Sequence, residues 1–369
     1  MLFAGSVLAG GQGAAYQAVS HDYKAWSLAC DNVRRCEAGA YGQEQSSVLL
    51  IVLRREAGPD GAVSLQFATQ EQPLSVNALR LDGQPLALDP QQWKASTLSE
   101  ESDNVYRYRL VTHDAAAIDA WLAAVRNGQT VSVGDPARKD APQASLAGLS
   151  ATLLAIDATQ GRLGTVTAWL RKGDKPAAAV PPAVLLPLTG KPVKGVAPLS
   201  EAEQRTLLKA TLARFRAEVQ GSVCSDDDDS PDEARAAQKE DSAAYALSSK
   251  EALVALGCST SGAYNHTSLM YRVQRRPPYA ARPLDFGAQA SAGLDSSTVG
   301  NELTEVFYDE AKGELSSVVK ARGLGDCGTL TTWIFDGERF QLSEISDMGS
   351  CVGIPSDAWP RLYRSRQAE

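Results

Sequence analysis

Apolar and polar positions along this chain alternate mostly with the period of a β-strand. Trp26-Ser27-Leu28-Ala29-Cys30 and the run from Val105 to Val111 put apolar side chains at every second residue, as a strand with one face on a core requires. Val48 to Leu53 is apolar throughout, which fits a strand buried on both faces. Gly58-Pro59-Asp60-Gly61 and Asp82-Gly83 are turn chemistry between such runs. A helical period interrupts twice. Asp114 caps a predicted helix with Ile118, Trp121, Leu122 and Val125 on one face. A second predicted helix runs from about Ser145 to Arg162, with Leu149, Leu153, Leu154 and Ile156 inward.

Prolines 181, 182, 187, 192 and 198 then forbid continuous helix or central strand, so 176–199 reads as an extended linker. Beyond it, Ser200 and Glu203 form a capping-box signature. The helix they open offers Leu207, Leu208, Ala210, Leu212 and Phe215 for burial and ends near Gly221. Two similar hairpins follow, Val306–Leu315 and Trp333–Leu342, each an aromatic-rich strand, an Asp/Gly turn and a returning strand. The expected fold class is α+β, mainly β, in two domains. Residues 21–175 form an antiparallel sandwich or barrel with added helices, and 200–369 a helix plus β-meander. Residues 1–20 read as the remnant of an export signal or a loose tail: the apolar run with Leu2, Phe3, Val7 and Leu8 is too short to span a bilayer, and Gly13-Ala14-Ala15 suits cleavage.

Cysteine usage sharpens this picture. The six cysteines fall into neighbouring pairs, Cys30 with Cys36, Cys224 with Cys258 and Cys327 with Cys351. Their spacings match neither a tetrahedral zinc site nor a two-residue redox pair, so three structural disulfides and an oxidising compartment are expected, with neighbour pairing the simplest of the connectivities. A periplasmic location follows from the two features together. A net charge of −8 argues against nucleic acid or anionic lipid as a main partner, and no stretch is long and apolar enough for a transmembrane helix.

The stretch Trp26 to Ala38 (WSLACDNVRRCEA) resembles the opening of an exported bacterial family catalogued as domain of unknown function 1176. Ser145 to Ala151, Cys258 with Gly262-Ala263-Tyr264-Asn265, and Gly323 to Cys327 with Trp333 and Phe335-Asp336-Gly337 resemble further blocks of it, in the same order. The first half is also distantly similar to invasion-associated locus B proteins. The resemblance implies a periplasmic protein of proteobacterial type and no substrate.

Enzyme signatures are absent or incomplete. Gly148-Leu149-Ser150-Ala151-Thr152 lacks the second glycine of a nucleophile elbow, and Ser317-Val318-Val319-Lys320 stands alone without its companion motifs. The acidic run around Asp226, Asp228, Asp229 and Asp232 suggests calcium, yet Pro231 and Ala237 occupy the glycine and glutamate positions of an EF-hand loop, so a solvated loop is the simpler reading. No cofactor is expected. Tyr264 and Asn265 in a loop, and Trp333 and Phe335 as an aromatic platform, are the candidate binding residues. The expected function is non-enzymatic: binding or envelope maintenance through a protein or glycan partner. The alternative is a cell-envelope hydrolase whose carboxylates meet only in the fold.

Overall fold

The computed structural model describes residues 18–41, 48–99, 101–135, 138, 140–221, 241–258, 263–286 and 300–368. Antiparallel sheets dominate, joined by three α-helices among the described residues. The first half contains β1 (Val19–Tyr23), β2 (Trp26–Cys30), β3 (Cys36–Ala40), β4 (Leu50–Arg55), β5 (Val63–Thr69), β6 (Leu79–Leu81), β7 (Gln84–Pro85), β8 (Lys94–Thr97), β9 (Tyr108–Thr112), β10 (Thr130–Val133) and β11 (Gln143–Ser145). Seven of these form one sheet in the order β1-β2-β3-β4-β5-β9-β8, and the other four a second, β11-β10-β6-β7. Trp26, Leu28, Ile51, Leu53 and Phe67 make the core between the large sheet and the helices α1 (Ala115–Val125) and α2 (Leu149–Thr159).

Local chemistry explains the helix boundaries. The Asp114 carboxylate accepts from Ala116 N at 2.7 Å and Ala117 N at 3.0 Å, and the expected face of Ile118, Trp121, Leu122 and Val125 is buried. Helix α2 starts four residues later than its periodicity predicts, because 143–145 pairs as β11 instead. Gly148, at φ 105°, makes the bend. A Cβ there would lie 1.7 Å from the Tyr23 carbonyl oxygen, so only glycine fits.

The second half opens with α3 (Glu201–Gly221), where the Ser200 hydroxyl accepts from Glu203 N at 3.3 Å. The Glu203 carboxylate meanwhile pairs with Arg275 at 2.7 Å. The helix kinks at Phe215, whose ring stacks on Tyr271 at 4.4 Å. Counting β12 (Leu188–Thr189) in the linker, the strands here are β13 (Ala243–Ala246), β14 (Glu251–Gly257), β15 (Thr267–Gln274), β16 (Ala281–Pro283) and β17 (Glu302–Thr304), then β18 (Val306–Asp309), β19 (Glu314–Lys320), β20 (Gly328–Phe335), β21 (Phe340–Met348), β22 (Arg361–Arg364) and β23 (Arg366–Gln367). Strands β13 to β17 make one sheet, and β18 to β22 run in sequence order as the meander that the two hairpin patterns foretold. Its turns are aspartate-set: Asp336 Oδ1 accepts from Glu338 N and Arg339 N, both at 2.8 Å, ahead of the strand that carries Phe340. Segment 176–199 has a 3-10 turn at Ala177–Ala179 and no α-helix, and is strapped to the meander. β12 pairs in parallel with β23, and Val193 N donates to Phe335 O at 2.9 Å.

Cys30–Cys36 and Cys327–Cys351 are disulfides, and no described cysteine is free. Cys258 is also disulfide-bonded, while Cys224 and the acidic run with Asp226, Asp228, Asp229 and Asp232 lie outside the described residues. The first bridge joins directly opposed residues of β2 and β3 and closes the loop 31–35. That loop docks onto the far end of the chain. Asn32 N donates to Leu362 O at 3.2 Å, Asn32 Nδ2 to Arg364 O at 3.0 Å, and Arg364 N to Asn32 Oδ1 at 2.8 Å. The Arg364 guanidinium pairs with Asp31, a residue with no solvent exposure. Beside this seam Tyr41, Leu50, Val52 and Tyr106 pack against Met348, Ile354 and Trp359.

Two measurements check these linkages. Arg364→Met leaves the Asp31 carboxylate buried without its cation, and urea denaturation at pH 7 is expected to show a loss of about 3 kcal/mol. That loss shrinks on acidification, because burial already holds the Asp31 carboxyl above its usual range and a protonated acid needs no partner. Non-reducing peptide mapping is expected to return 30–36, 327–351 and a peptide joining Cys224 to Cys258.

Candidate functional site in the seam cleft

The first hairpin and the last strands of the meander do not close completely on one another. A depression of about 390 Å³ lies between them, and one of about 650 Å³ adjoins it between the first hairpin, β10 and β11, sharing Asp22, Ser27 and Tyr41 in its walls. Strand alternation sets which residues face in. From β1 comes Asp22, from β2 Ser27, from β3 Glu37 and, just past its end, Tyr41, and from the end of β21 Asp347.

The floor is rigid. The ring of Tyr41 lies across the backbone of Gly39, where a Cβ would approach the ring to 2.2 Å, so glycine is required. The Tyr41 hydroxyl donates to Glu37 Oε1 at 3.3 Å, and Arg54 clamps the same carboxylate through Nε at 2.7 Å and Nη2 at 3.3 Å. Burial, with the Glu37 charge added, pushes the Tyr41 phenol well above its ordinary range, so it stays a hydrogen-bond donor.

Asp347 sits on the opposite wall and is half-buried. Thr329 Oγ1 donates to its Oδ1 at 2.7 Å. Burial raises its carboxyl above the usual range, the Thr329 hydrogen bond opposes that, and the charge of Asp22 reinforces it. Neither Asp22 nor Asp347 forms an ion pair among the described residues. The cleft therefore presents carboxylates, hydroxyls and a buried phenol without a matching cation at either aspartate. Such walls accept and donate hydrogen bonds to a polar, hydroxyl- or amine-bearing molecule.

The residues singled out by sequence lie elsewhere. Asn265 works as a backbone substitute: its Nδ2 donates to Lys320 O at 2.9 Å and its Oδ1 accepts from Lys320 N at 3.0 Å. Tyr264, partly exposed, donates to Ala321 O at 3.3 Å beside it. Trp333 and Phe335 are each 1 % exposed and pack with Phe286 and Phe340, so their rings fill the core rather than line a surface platform. Ser317 donates to Thr304 O at 2.7 Å and Lys320 pairs with Glu305, which leaves the S-x-x-K spacing on a strand and in structural use. Asp326 lies near Cys327 and Cys351, but those sulfurs are bonded to each other and its carboxylate is held by Arg322 and Gly353 N. That cluster is no metal site. Sequence reasoning passed over Asp22, Tyr41 and Asp347, and the one local hint was the glycine two positions before Tyr41.

The chain belongs to the family described as protein of unknown function (DUF1176), whose profile matches residues 20–366. It is 32% identical over 348 residues to the uncharacterized protein YpfG of Escherichia coli (strain K12), an alignment covering 92% of this chain and 91% of that one. No solved structure matches it. The disulfides point to an oxidising, non-cytoplasmic setting, and no described helix is long and apolar enough to cross a membrane.

The site carries its own signature of strain. The folded Asp347 carboxyl holds its proton at pH values where the unfolded chain has lost it. Its favourable contribution is thus complete below the ordinary aspartate range and is lost as pH rises through the raised folded value. Asp347→Asn is expected to raise the melting temperature at pH 7 by a few degrees, with the gain vanishing near pH 3. A lower melting temperature at pH 7 would mark Asp347 as a structural carboxylate instead.

Proposed function

We propose that this is an exported, periplasmic protein that binds a hydroxyl-rich envelope glycan in the seam cleft without altering it chemically. The apolar run at the start of the sequence and the disulfides support export. The division into units 21–175 and 200–369 belongs to the same proposal, since the cleft lies where strands from the two ends of the chain face each other. The observation that carries the reading is that Asp22, Tyr41 and Asp347 line one depression while neither aspartate is in an ion pair among the described residues. Carboxylates that are not spent on arginine or lysine are available to accept from sugar hydroxyls, and charge-assisted bonds of this kind are the stronger ones.

A second reading rests on Asp347 alone. A carboxyl whose pKa burial raises, in one cleft with a more exposed carboxylate, also resembles the acid half of a glycoside hydrolase pair. One titration separates the two. Calorimetry with chitotetraose is expected to give saturable binding with no new reducing ends, weakened about tenfold or more by Asp22→Asn through the loss of one charged acceptor. Release of reducing ends by the wild type but not by Asp347→Asn would replace binding with hydrolysis. No saturable heat from chitotetraose or from soluble peptidoglycan fragments would end the glycan reading.

A further inference from the structure

Another cavity, of about 470 Å³, lies between α1, α2 and the loop that follows α2, and shares no lining residue with the seam cleft. Its walls are mixed: Leu122 and Val125 from α1, Leu149 and Leu153 from α2, and Trp169 and Leu170 from the loop are apolar, while Asp119, Arg126, Ser150 and Lys172 are polar. The loop wall is held by an unusual amount of buried charge. Asp157, without solvent exposure, accepts from Trp169 N at 2.9 Å and Leu170 N at 2.9 Å. The Arg55 guanidinium stacks on the Trp169 ring at 4.4 Å from its centroid and donates to Thr167 O at 2.7 Å. Arg162, also fully buried, donates to Thr167 Oγ1 at 3.0 Å and to the carbonyl of Gly58.

Two guanidiniums and one carboxylate inside a protein are expensive to desolvate, and a core of apolar residues would hold a surface loop more simply. What this network fixes is the position of Trp169 and Leu170, the two residues that complete the groove. The rim is charged and its signs are unequal. Lys172 and Asp119 neutralise each other at 2.6 Å, while Arg126, exposed at the end of α1, has no carboxylate partner among the described residues. A preformed groove with apolar side chains from three elements and one uncompensated cation among its polar ones matches an amphiphile, an apolar chain that ends in an anion.

We propose that this groove binds the alkyl chain of a single-chain anionic amphiphile of fatty-acid type, with the head group on Arg126. The site is separate from the seam cleft, so the fate of one proposal does not decide the other. Dodecanoate, below its critical micelle concentration, is the probe for calorimetry against the full chain. One saturable site is expected, and affinity should fall about fourfold for each methylene removed from the alkyl chain. Ser150→Phe and Ala123→Phe, on the two exposed helix flanks of the groove, fill it from opposite walls without touching the core. Each should weaken binding by more than about tenfold, several methylenes being excluded, while thermal melts report that the variants remain folded. Arg126→Gln should cost about threefold to fivefold, the worth of one exposed ion pair. Dodecyltrimethylammonium should bind more weakly than dodecanoate. The proposal is overturned if dodecanoate gives no saturable binding, or if a folded Phe variant binds as the wild type does. Equal affinity for the cationic amphiphile, or no effect of Arg126→Gln, overturns the assignment of an anionic head.

Discussion

The buried carboxylate of Asp31 is the constraint around which the two ends of this chain are arranged. It is desolvated, and it is offset by a guanidinium brought from the last strand of the meander. Within its own loop it also accepts from Val33 N at 3.0 Å and Arg35 N at 2.8 Å, which holds Arg34 at a positive φ of 65°. Remove the loop geometry and the pair cannot form. Remove the pair and the loop buries an unpaired charge. The Cys30–Cys36 bridge closes the same loop, so one covalent and one ionic link lock a single turn against strand β22. The apolar packing of Tyr41, Tyr106, Ile354 and Trp359 and the cleft with Asp22 and Asp347 both lie along the line this contact defines.

Three of the buried charged groups do something apolar packing would not. At Asp31 burial joins distant parts of the chain. At Glu37 it orients a phenol. At Asp157 it hangs a loop from a helix by two backbone amides. Fully satisfied networks of this kind rigidify what they hold, whereas a single missing partner is costly. Rigidity here accumulates beside cavities, which is where preorganised walls favour binding.

Much of the fold was legible in the residue pattern, because it is local. The alternation at Trp26–Cys30, the apolar run ending at Leu53, the face of α1 and the aspartate turns of the meander each depend on neighbours a few positions apart. Misreadings arose where distant contacts overrule local preference. Strand pairing at 143–145 shortened α2, and the rings of Trp333 and Phe335, which by composition could have faced a sugar, are consumed by the core. The cleft was not legible at all. Asp22 and Asp347 carry no motif and are common surface residues individually. Only closure of the two ends places them in one cleft, and that closure rests on Arg364, which in the sequence looks like any other arginine.

The distance in sequence between Asp31 and Arg364 has a consequence for how the protein comes into being. The two are 333 positions apart. During synthesis the first hairpin emerges early, and it must wait for nearly the whole chain before its buried acid is compensated. Contacts of such separation form late, since the intervening loop has to be ordered first. The early strands therefore persist for a time as an incomplete surface, with an unpaired edge and an exposed Tyr41. Loss of strand β22 would therefore be felt in the first hairpin, more than 300 residues away.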